Sequence, residues 1–459
     1  MEGHNDLESQ TPTLRHAARG HQQDEPSQSN IPGPVAEYDS SPPSGNKEAP
    51  GLVAPDVDTC PDGGFQAWLC IAGGFCATFA SFGWINCIGV FQDYYQAHQL
   101  SEYSSSDVAW ISGTESFMLF FCGLISGKLA DSYGPRYPLL LGSFLHVFGL
   151  MMVSLSTKYY QFFLAQCIVS GIGTSFLFYP TITAAGSWFK RHRALAFGIM
   201  VSGSSVGGVV LPIMVEHLVD DVGFGWAIRI TAFLLLGLLI FANIAIKSRL
   251  PPVKKPFSLK EYVAPYAEIP FLLLAIGSFF LYLGAFLPFN FIIVQAHEAG
   301  LPSSLTDYLV PIINATSIFG RIVPAYLGDK YGVFNVCIVF TLFSGIISIA
   351  LWLPALSPGP IVAYAVLYGF ASGLTLSIIP ALVASISDVA KLGFRTGTLY
   401  SLSAVGVLVG SPIAGAIVTS QNGEYTGLKI FCGVMLLTAG VFMTFSRIKL
   451  TGPRLLVKQ

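Results

Sequence analysis

The chain has 459 residues, 53% hydrophobic and only 11% charged, with mean hydropathy +0.61 and formal net charge −2. Soluble domains carry roughly 25% charged residues, so this composition excludes a water-soluble globular protein and indicates a polytopic membrane protein; the near-neutral balance excludes a nucleic-acid role. The eight cysteines sit mostly inside apolar runs, with neither a disulfide framework nor metal-ligand spacing, and no metal or cofactor is expected.

Residues 1–58 are rich in Pro, Ser, Gln, Asp and Glu. Such a segment cannot bury a core and is expected to be a disordered cytosolic tail, with no cleavable signal peptide at its start. A membrane-spanning helix needs about 20 apolar residues. Twelve stretches meet that length, at 66–92, 107–129, 137–156, 159–183, 194–216, 226–247, 269–294, 306–328, 334–354, 360–384, 395–419 and 427–447. With the N-terminus inside, Lys128, Arg136, Lys190, Arg191, Arg193, the cations of 247–260, Lys330, Lys391, Arg395 and those from Arg447 onward all fall on inner connections. Only Lys158, Arg229 and Lys429 fall on outer ones. That asymmetry matches the positive-inside rule, so both termini are expected to be cytoplasmic.

The longest inner connection divides six spans from six, giving an N-terminal half at 59–247, a linker at 248–268, a C-terminal half at 269–447 and a cytosolic tail at 448–459. The halves repeat one another. Asp131-Ser-Tyr-Gly134 after the second span recurs as Asp329-Lys-Tyr-Gly332 after the eighth. Gly173 and Pro180 recur as Gly373 and Pro380, and Pro212 and Pro412 each follow a Gly-x-x-x-Gly pair, Gly203/Gly207 and Gly406/Gly410. The expected fold is therefore an all-α membrane protein of twelve transmembrane helices in two pseudo-repeated six-helix halves. Parallel repeats of this kind build rocking transporters. The stretch Trp188 to Pro212 combines a cationic mouth with a Gly/Ser-rich helix suited to close packing in lipid.

Gly127-Lys-Leu-Ala-Asp131-Ser-Tyr-Gly134-Pro-Arg136 resembles the loop 2–3 signature of the major facilitator superfamily. Asp62-Gly63-Gly64-Phe65-Gln66-Ala67-Trp68 looks like the lead into helix 1 of its monocarboxylate porter family. Trp188-Phe189-Lys190-Arg191-His192-Arg193, followed by Ala194, Leu195, Ala196 and Gly198, is similar to that family's helix 5 signature. The long polar N-terminal tail resembles the fungal branch. The resemblance implies alternating access and a small-molecule substrate. Two positions depart from the animal carboxylate carriers: Asn86 stands where they offer an anion-binding lysine, and Ser317 where they place an aspartate one turn before the retained Arg321.

An arginine inside an apolar helix costs about 3 kcal/mol on insertion scales. Arg321 must therefore face a cavity or a partner: its fork suits a substrate carboxylate, and the alternatives are a structural pair with an acid such as Glu115 or Asp329, or a cytoplasmic gate contact. Asn86, Asn290, Asn314 and Tyr179 are the other candidate substrate contacts. Tyr179 belongs to an aromatic set, with Phe79, Phe82, Trp84, Phe178, Phe286, Phe289, Phe291 and Tyr400, able to line a pocket for a flat or apolar ligand, the plainer alternative being lipid-facing or core packing. Glu115 and His146 are candidate proton carriers, each with the plainer alternative of a hydrogen-bonded packing residue. Asp131, Arg136, Lys190, Arg191 and Asp329 are the expected cytoplasmic gate, Asp131 binding a cation or a helix N-terminus. The function expected is secondary export of a small organic metabolite, carboxylate or aromatic, across the plasma membrane. Its alternatives are proton-coupled uptake of a monocarboxylate or riboflavin-like nutrient, and a non-transporting sensor. Partners are the substrate, protons and membrane lipid; no residue pattern specifies an oligomer.

Overall fold

The structure, a computed structural model, describes residues 61–252, 258–298, 300–306 and 308–452. The expected cytosolic tails, 1–58 and most of 448–459, lie outside the described residues. Among the described residues, twelve helices are long and apolar enough to cross a membrane. They are α1 (Phe65–Gly83), α2 (Asp107–Tyr133), α3 (Arg136–Val153), α4 (Tyr159–Gly186), α5 (Arg193–Val222), α6 (Phe224–Ala245), α7 (Ile269–His297), α8 (Leu309–Tyr331), α9 (Val333–Trp352), α10 (Pro358–Ser385), α11 (Val389–Ser420) and α12 (Thr426–Thr451). Each expected span has its helix, and the protein is a multi-pass membrane protein. Loops 2–3, 4–5, 8–9 and 10–11 share one side, called here the loop 2–3 side.

The expected first span, 66–92, is not one regular helix. It is α-helical over Phe65–Thr78, widens to π geometry over Phe79–Gly83, breaks at a turn, and resumes over Ile88–Ala97. Helix α7 breaks at the matching place in the second half, between Ile269–Ala285 and Leu287–Glu298. Broken first helices leave backbone polar groups free near mid-membrane, which is tolerated only where protein or a cavity covers them. The repeated Asp-x-Tyr-Gly motif is a helix end: Gly134 and Gly332 take φ of 82° and 100°, a conformation an L side chain resists.

Glycine pairs set the packing inside each half. A Cβ on Gly203 would lie 2.1 Å from the Phe75 carbonyl oxygen, and one on Gly207 would lie 2.7 Å from Gly83 Cα, so α5 lies directly on α1. The duplicated pair does the same in the second half: Cβ atoms on Gly406 and Gly410 would lie 2.8 Å and 2.7 Å from the carbonyl oxygens of Phe279 and Leu283 on α7. Helices α3, α6, α9 and α12 turn apolar side chains outward, among them Phe144, Ile240, Val339 and Phe445, as lipid-facing helices must.

The end of the linker is a strap over the contact between α2 and α11. Glu261 pairs with Lys128 of α2 at 2.7 Å, and Tyr262 donates to the Leu124 carbonyl of α2 at 3.2 Å while its ring meets Phe394 of α11 edge-on at 5.0 Å. Tyr266 donates to the Thr398 carbonyl at 2.7 Å, and Arg395 holds Glu268 through two hydrogen bonds of 2.8 Å and 2.5 Å. The Arg395 guanidinium keeps the Glu268 carboxyl below the usual carboxylate range. A depressed carboxylate contributes stability that is present above its unfolded pKa, about 4.3, and is lost as pH falls through the lower folded value. Glu268→Gln should therefore lower the unfolding temperature of the purified protein slightly near neutral pH, because Glu268 is half exposed and screened. The gap from wild type should close below about pH 4. A gap that stays constant across that range would show that charge is not what holds the strap.

Candidate substrate path and gate

The two halves meet along two antiparallel seams, α5 against α8 and α2 against α11. On the α5–α8 seam, Asn314 Nδ2 donates to Asn86 Oδ1 and to the Gly208 carbonyl, both at 3.3 Å. One turn further, the Ser317 and Ser205 hydroxyls are 2.6 Å apart. Arg321 follows: Nη1 donates to the Val201 carbonyl at 2.7 Å and to Ser204 Oγ, and Nε donates to the Gly373 carbonyl at 3.3 Å. Its Nη2 makes no hydrogen bond among the described residues, and no carboxylate pairs with it there. The expected acid partners are engaged elsewhere. A buried charge held only by carbonyls and a hydroxyl keeps its capacity for an anion.

At the loop 2–3 end of this seam the Asp329 carboxylate accepts the backbone N–H groups of Ala194 and Leu195, at 3.0 Å and 2.8 Å. These belong to the first turn of α5, whose N–H groups have no intrahelical partner and whose dipole favours an anion. The second seam ends the same way. Asp131 accepts from the N–H groups of Gly393 and Phe394 at 3.1 Å and 2.7 Å, and from Thr183 Oγ1 at 3.3 Å. Each aspartate comes from one half and caps a helix of the other. Glycines let the backbones approach: a Cβ on Gly127 would lie 2.1 Å from the Gly393 carbonyl oxygen, one on Gly397 2.0 Å from that of Gly123, and one on Gly198 2.3 Å from that of Arg321. The loop 2–3 end is closed.

The remaining expected gate residues sit apart from these caps. Lys190 and Arg191 offer backbone N–H groups to Asp62 Oδ1 at 2.7 Å and 2.6 Å, within their own half, and both are exposed. Arg136 is exposed at the start of α3 and lines a lipid-facing groove. Helix N-termini, rather than these cations, receive the two aspartates in the described contacts.

Between the seams lies an aromatic plug. Phe120 of α2 packs 5.0 Å from Tyr282 of α7 and 5.1 Å from Tyr400 of α11, measured between ring centroids. Phe82 of α1 meets Phe120 at 5.7 Å and Phe178 at 4.8 Å. The polar ends are satisfied: Tyr179 OH donates to the Phe120 carbonyl at 3.1 Å and Tyr282 OH to Tyr400 OH at 3.3 Å. All six rings are buried. Tyr282 and Phe120 were not legible as site residues, since each lies in a continuous apolar run that gives no periodic signal.

Three expected residues lie off both seams. Asn290, in the second segment of α7, is exposed and donates to Ser411 Oγ at 2.7 Å. Glu115 and His146 are fully buried inside the first half. Trp84 Nε1 and Gln166 Nε2 donate to the Glu115 carboxylate at 3.0 Å and 2.8 Å, and the Ser170 hydroxyl lies 3.5 Å from Glu115 Oε1 and 2.9 Å from His146 Nδ1. Tyr95 donates to Gln166 Oε1 at 2.9 Å and completes the cluster. The three donors to Glu115 adjoin or belong to the π segments of α1 and α4, Phe79–Gly83 and Phe163–Ser170, a geometry that recurs at functional sites.

The model of one family, described as Major Facilitator Superfamily, matches residues 73–368 and 274–455. The chain is 49% identical over 413 residues to "MFS-type transporter 1" of Ophiocordyceps sp. (strain BCC 1869), covering 90% of this chain and 92% of that protein. It is 41% identical over 397 residues to the "Fujikurins efflux protein" of Gibberella fujikuroi, covering 86% and 85%. Its fold matches the crystal structure of the human organic anion transporter MFSD10 with a TM-score of 0.64 at 16% identity, over 82% of this chain and 98% of that one.

Proposed function

This chain belongs to the major facilitator superfamily, and on that premise we propose that it exports a fungal secondary metabolite from the cytosol by alternating access. It is a carrier and not an enzyme. The observation that carries this proposal is the exchanged pair of caps, Asp131 on α11 and Asp329 on α5. Four charge-assisted N–H bonds hold one end shut, and rocking the halves apart releases them together. Export draws support from the relatives, since the 41% identical protein is named for efflux of fujikurins. The substrate that fits is flat and aromatic with an acidic group, taken between the aromatic plug and Arg321, with Asn86 and Asn314 as hydrogen-bonding neighbours. The segments at 62–68 and 188–198 support placement in the monocarboxylate porter family. The Glu115–Ser170–His146 cluster is the site proposed to carry a coupling proton, since an intramembrane carboxyl is a functional group by default.

The loop 2–3 side is proposed to face the cytosol, with the protein in the plasma membrane. Cysteine substituted for Glu102 should react with an impermeant thiol reagent on intact cells, and cysteine substituted for Lys260 should not; the opposite pattern would invert the assignment. Function is tested by comparing metabolites inside and outside a deletion strain, then measuring flux of the retained compound in proteoliposomes. Retention inside the cell and saturable flux support export. Binding without flux would favour a sensor. Glu115→Gln should abolish concentrative export driven by a pH gradient while leaving substrate exchange intact. Undiminished gradient-driven export by this variant would remove Glu115 from coupling.

A further inference from the structure

A groove of about 660 Å³ runs down the outer, membrane-facing surface of the first half, between α3 and α6. One face of α3 supplies Arg136, Leu140, Phe144 and Phe148, and α6 supplies Ile240 and Ile244 opposite. The floor is fixed, because Asn243 of α6 donates to Ser143 Oγ of α3 at 2.8 Å and ties the helices together. From Arg136 to Phe148 the groove covers roughly 18 Å at 1.5 Å per residue. The hydrocarbon core of a bilayer is about 30 Å thick, so one leaflet is about 15 Å deep. The groove is therefore one acyl chain deep, and it begins at the membrane boundary on the loop 2–3 side.

The mouth of the groove is charged and its walls are not. Arg136 is exposed and forms no ion pair among the described residues. Lys247 is not part of the lining; it lies three residues beyond Ile244 on the same side of the membrane, its carbonyl accepting from Trp188 Nε1, and it is likewise exposed and forms no ion pair there. Exposed Tyr137 adjoins Arg136, at the depth where amphipathic rings settle. A cation beside a leaflet-deep apolar channel matches the two ends of one molecule, an anionic phospholipid: the guanidinium meets the phosphate as a fork and the channel takes a chain. A zwitterionic lipid fills the walls equally well but gains less from two cations, so charge decides the occupant.

We propose that the groove between α3 and α6 is a binding site for one anionic phospholipid of the loop 2–3 leaflet, held by Arg136 and Lys247. This is independent of the substrate and of the direction of transport. The full chain, purified and exchanged into detergent with equal phosphatidylserine and phosphatidylcholine, is examined by native mass spectrometry. Wild type should retain one phosphatidylserine at least tenfold in preference to phosphatidylcholine. The double variant Arg136→Ala, Lys247→Ala should lose that preference. Leu140→Trp, which fills the channel and leaves both cations, should lower retention of the lipid itself. Its unfolding temperature is compared with wild type to show that it is folded. Equal retention of the two lipids by wild type, or unchanged preference in the double variant, overturns the proposal. Unchanged retention by a folded Leu140→Trp protein removes the groove as the site. Should the double variant fail to fold, titrating phosphatidylserine against wild type at rising salt decides the matter, because a charge-held lipid is released by salt and one that is not released overturns it.

Discussion

Gly397→Ala should spring the loop 2–3 end open. The added Cβ would lie 2.0 Å from the Gly123 carbonyl oxygen and 2.5 Å from its carbon. Backbone cannot swing aside as a side chain does, so α11 must retreat from α2. Overpacking of this kind costs about 1–3 kcal/mol, and here the cost falls on one state only, since the seam parts when this end opens. A differential of that size shifts a two-state equilibrium by about 5–150-fold. The retreat also lengthens the bonds from Gly393 and Phe394 to Asp131, which weakens the cap on that seam. A cysteine substituted for the buried Leu392, beside the seam, should be alkylated from the loop 2–3 side faster in the Gly397→Ala background, and transport should fall in step. Gly113→Ala is the control: it lies on α2, the helix that Gly397 of α11 packs against, and its nearest foreign atom, Leu408 Cδ1, is 3.8 Å from the built Cβ. It should behave as wild type. Equal alkylation in both variants would show that the glycine contact does not hold the gate.

The same seam shows what a sequence can and cannot spell. The spans were legible because lipid leaves a helix no choice: its backbone bonds must close internally and its surface must be apolar over the whole crossing. The duplicated Gly-x-x-x-Gly pairs were legible for a related reason, since only glycine permits the backbone contacts of α5 on α1 and α11 on α7. Asp131 and Asp329 were legible as a repeated motif, and a helix N-terminus was one of the two partners expected for Asp131, but which helix receives each aspartate was not legible. What receives them is the N–H array at the start of α11 and of α5, and no side chain encodes an N–H array. The neighbouring cations Lys190 and Arg191 carry a stronger sequence signal, yet in the structure they present backbone N–H groups to Asp62. Tyr282 and Phe120 were hidden by the composition that made their helices recognisable. In a helix apolar on every side, neither residue type nor periodicity distinguishes the face toward the other half from the face toward its own. Asn86, Asn314 and Arg321 stood out because polar groups are rare there, and the structure places all three on the α5–α8 seam. Glu115 stood out equally and lies in the core of one half, so rarity marks a site without saying which one.

Arg321→Lys should impair transport almost as severely as Arg321→Ala. The guanidinium spreads its hydrogen bonds over three acceptors on two helices: the Val201 carbonyl and Ser204 hydroxyl on α5, and the Gly373 carbonyl on α10. An ammonium keeps the charge but, as a point on a flexible stem, cannot bridge both helices and also present a planar edge to a carboxylate. Hydrogen bonds to charged groups contribute about 1.5–3 kcal/mol each. Loss of the anion contact in the lysine variant should thus lower transport about tenfold to a hundredfold. Two readouts separate substrate binding from support of the seam. If Arg321 binds the substrate anion, adding substrate should raise the unfolding temperature of wild type but of neither variant, and the transport defect should exceed what reduced protein abundance explains. If Arg321 serves only to join α8 to α5 and α10, both variants should unfold at lower temperature, and what remains folded should still be stabilised by substrate. Full transport by the lysine variant would show that charge alone suffices and would take Arg321 out of the substrate site. With Nη2 free of hydrogen bonds among the described residues and no acid beside it, the first outcome is the expected one.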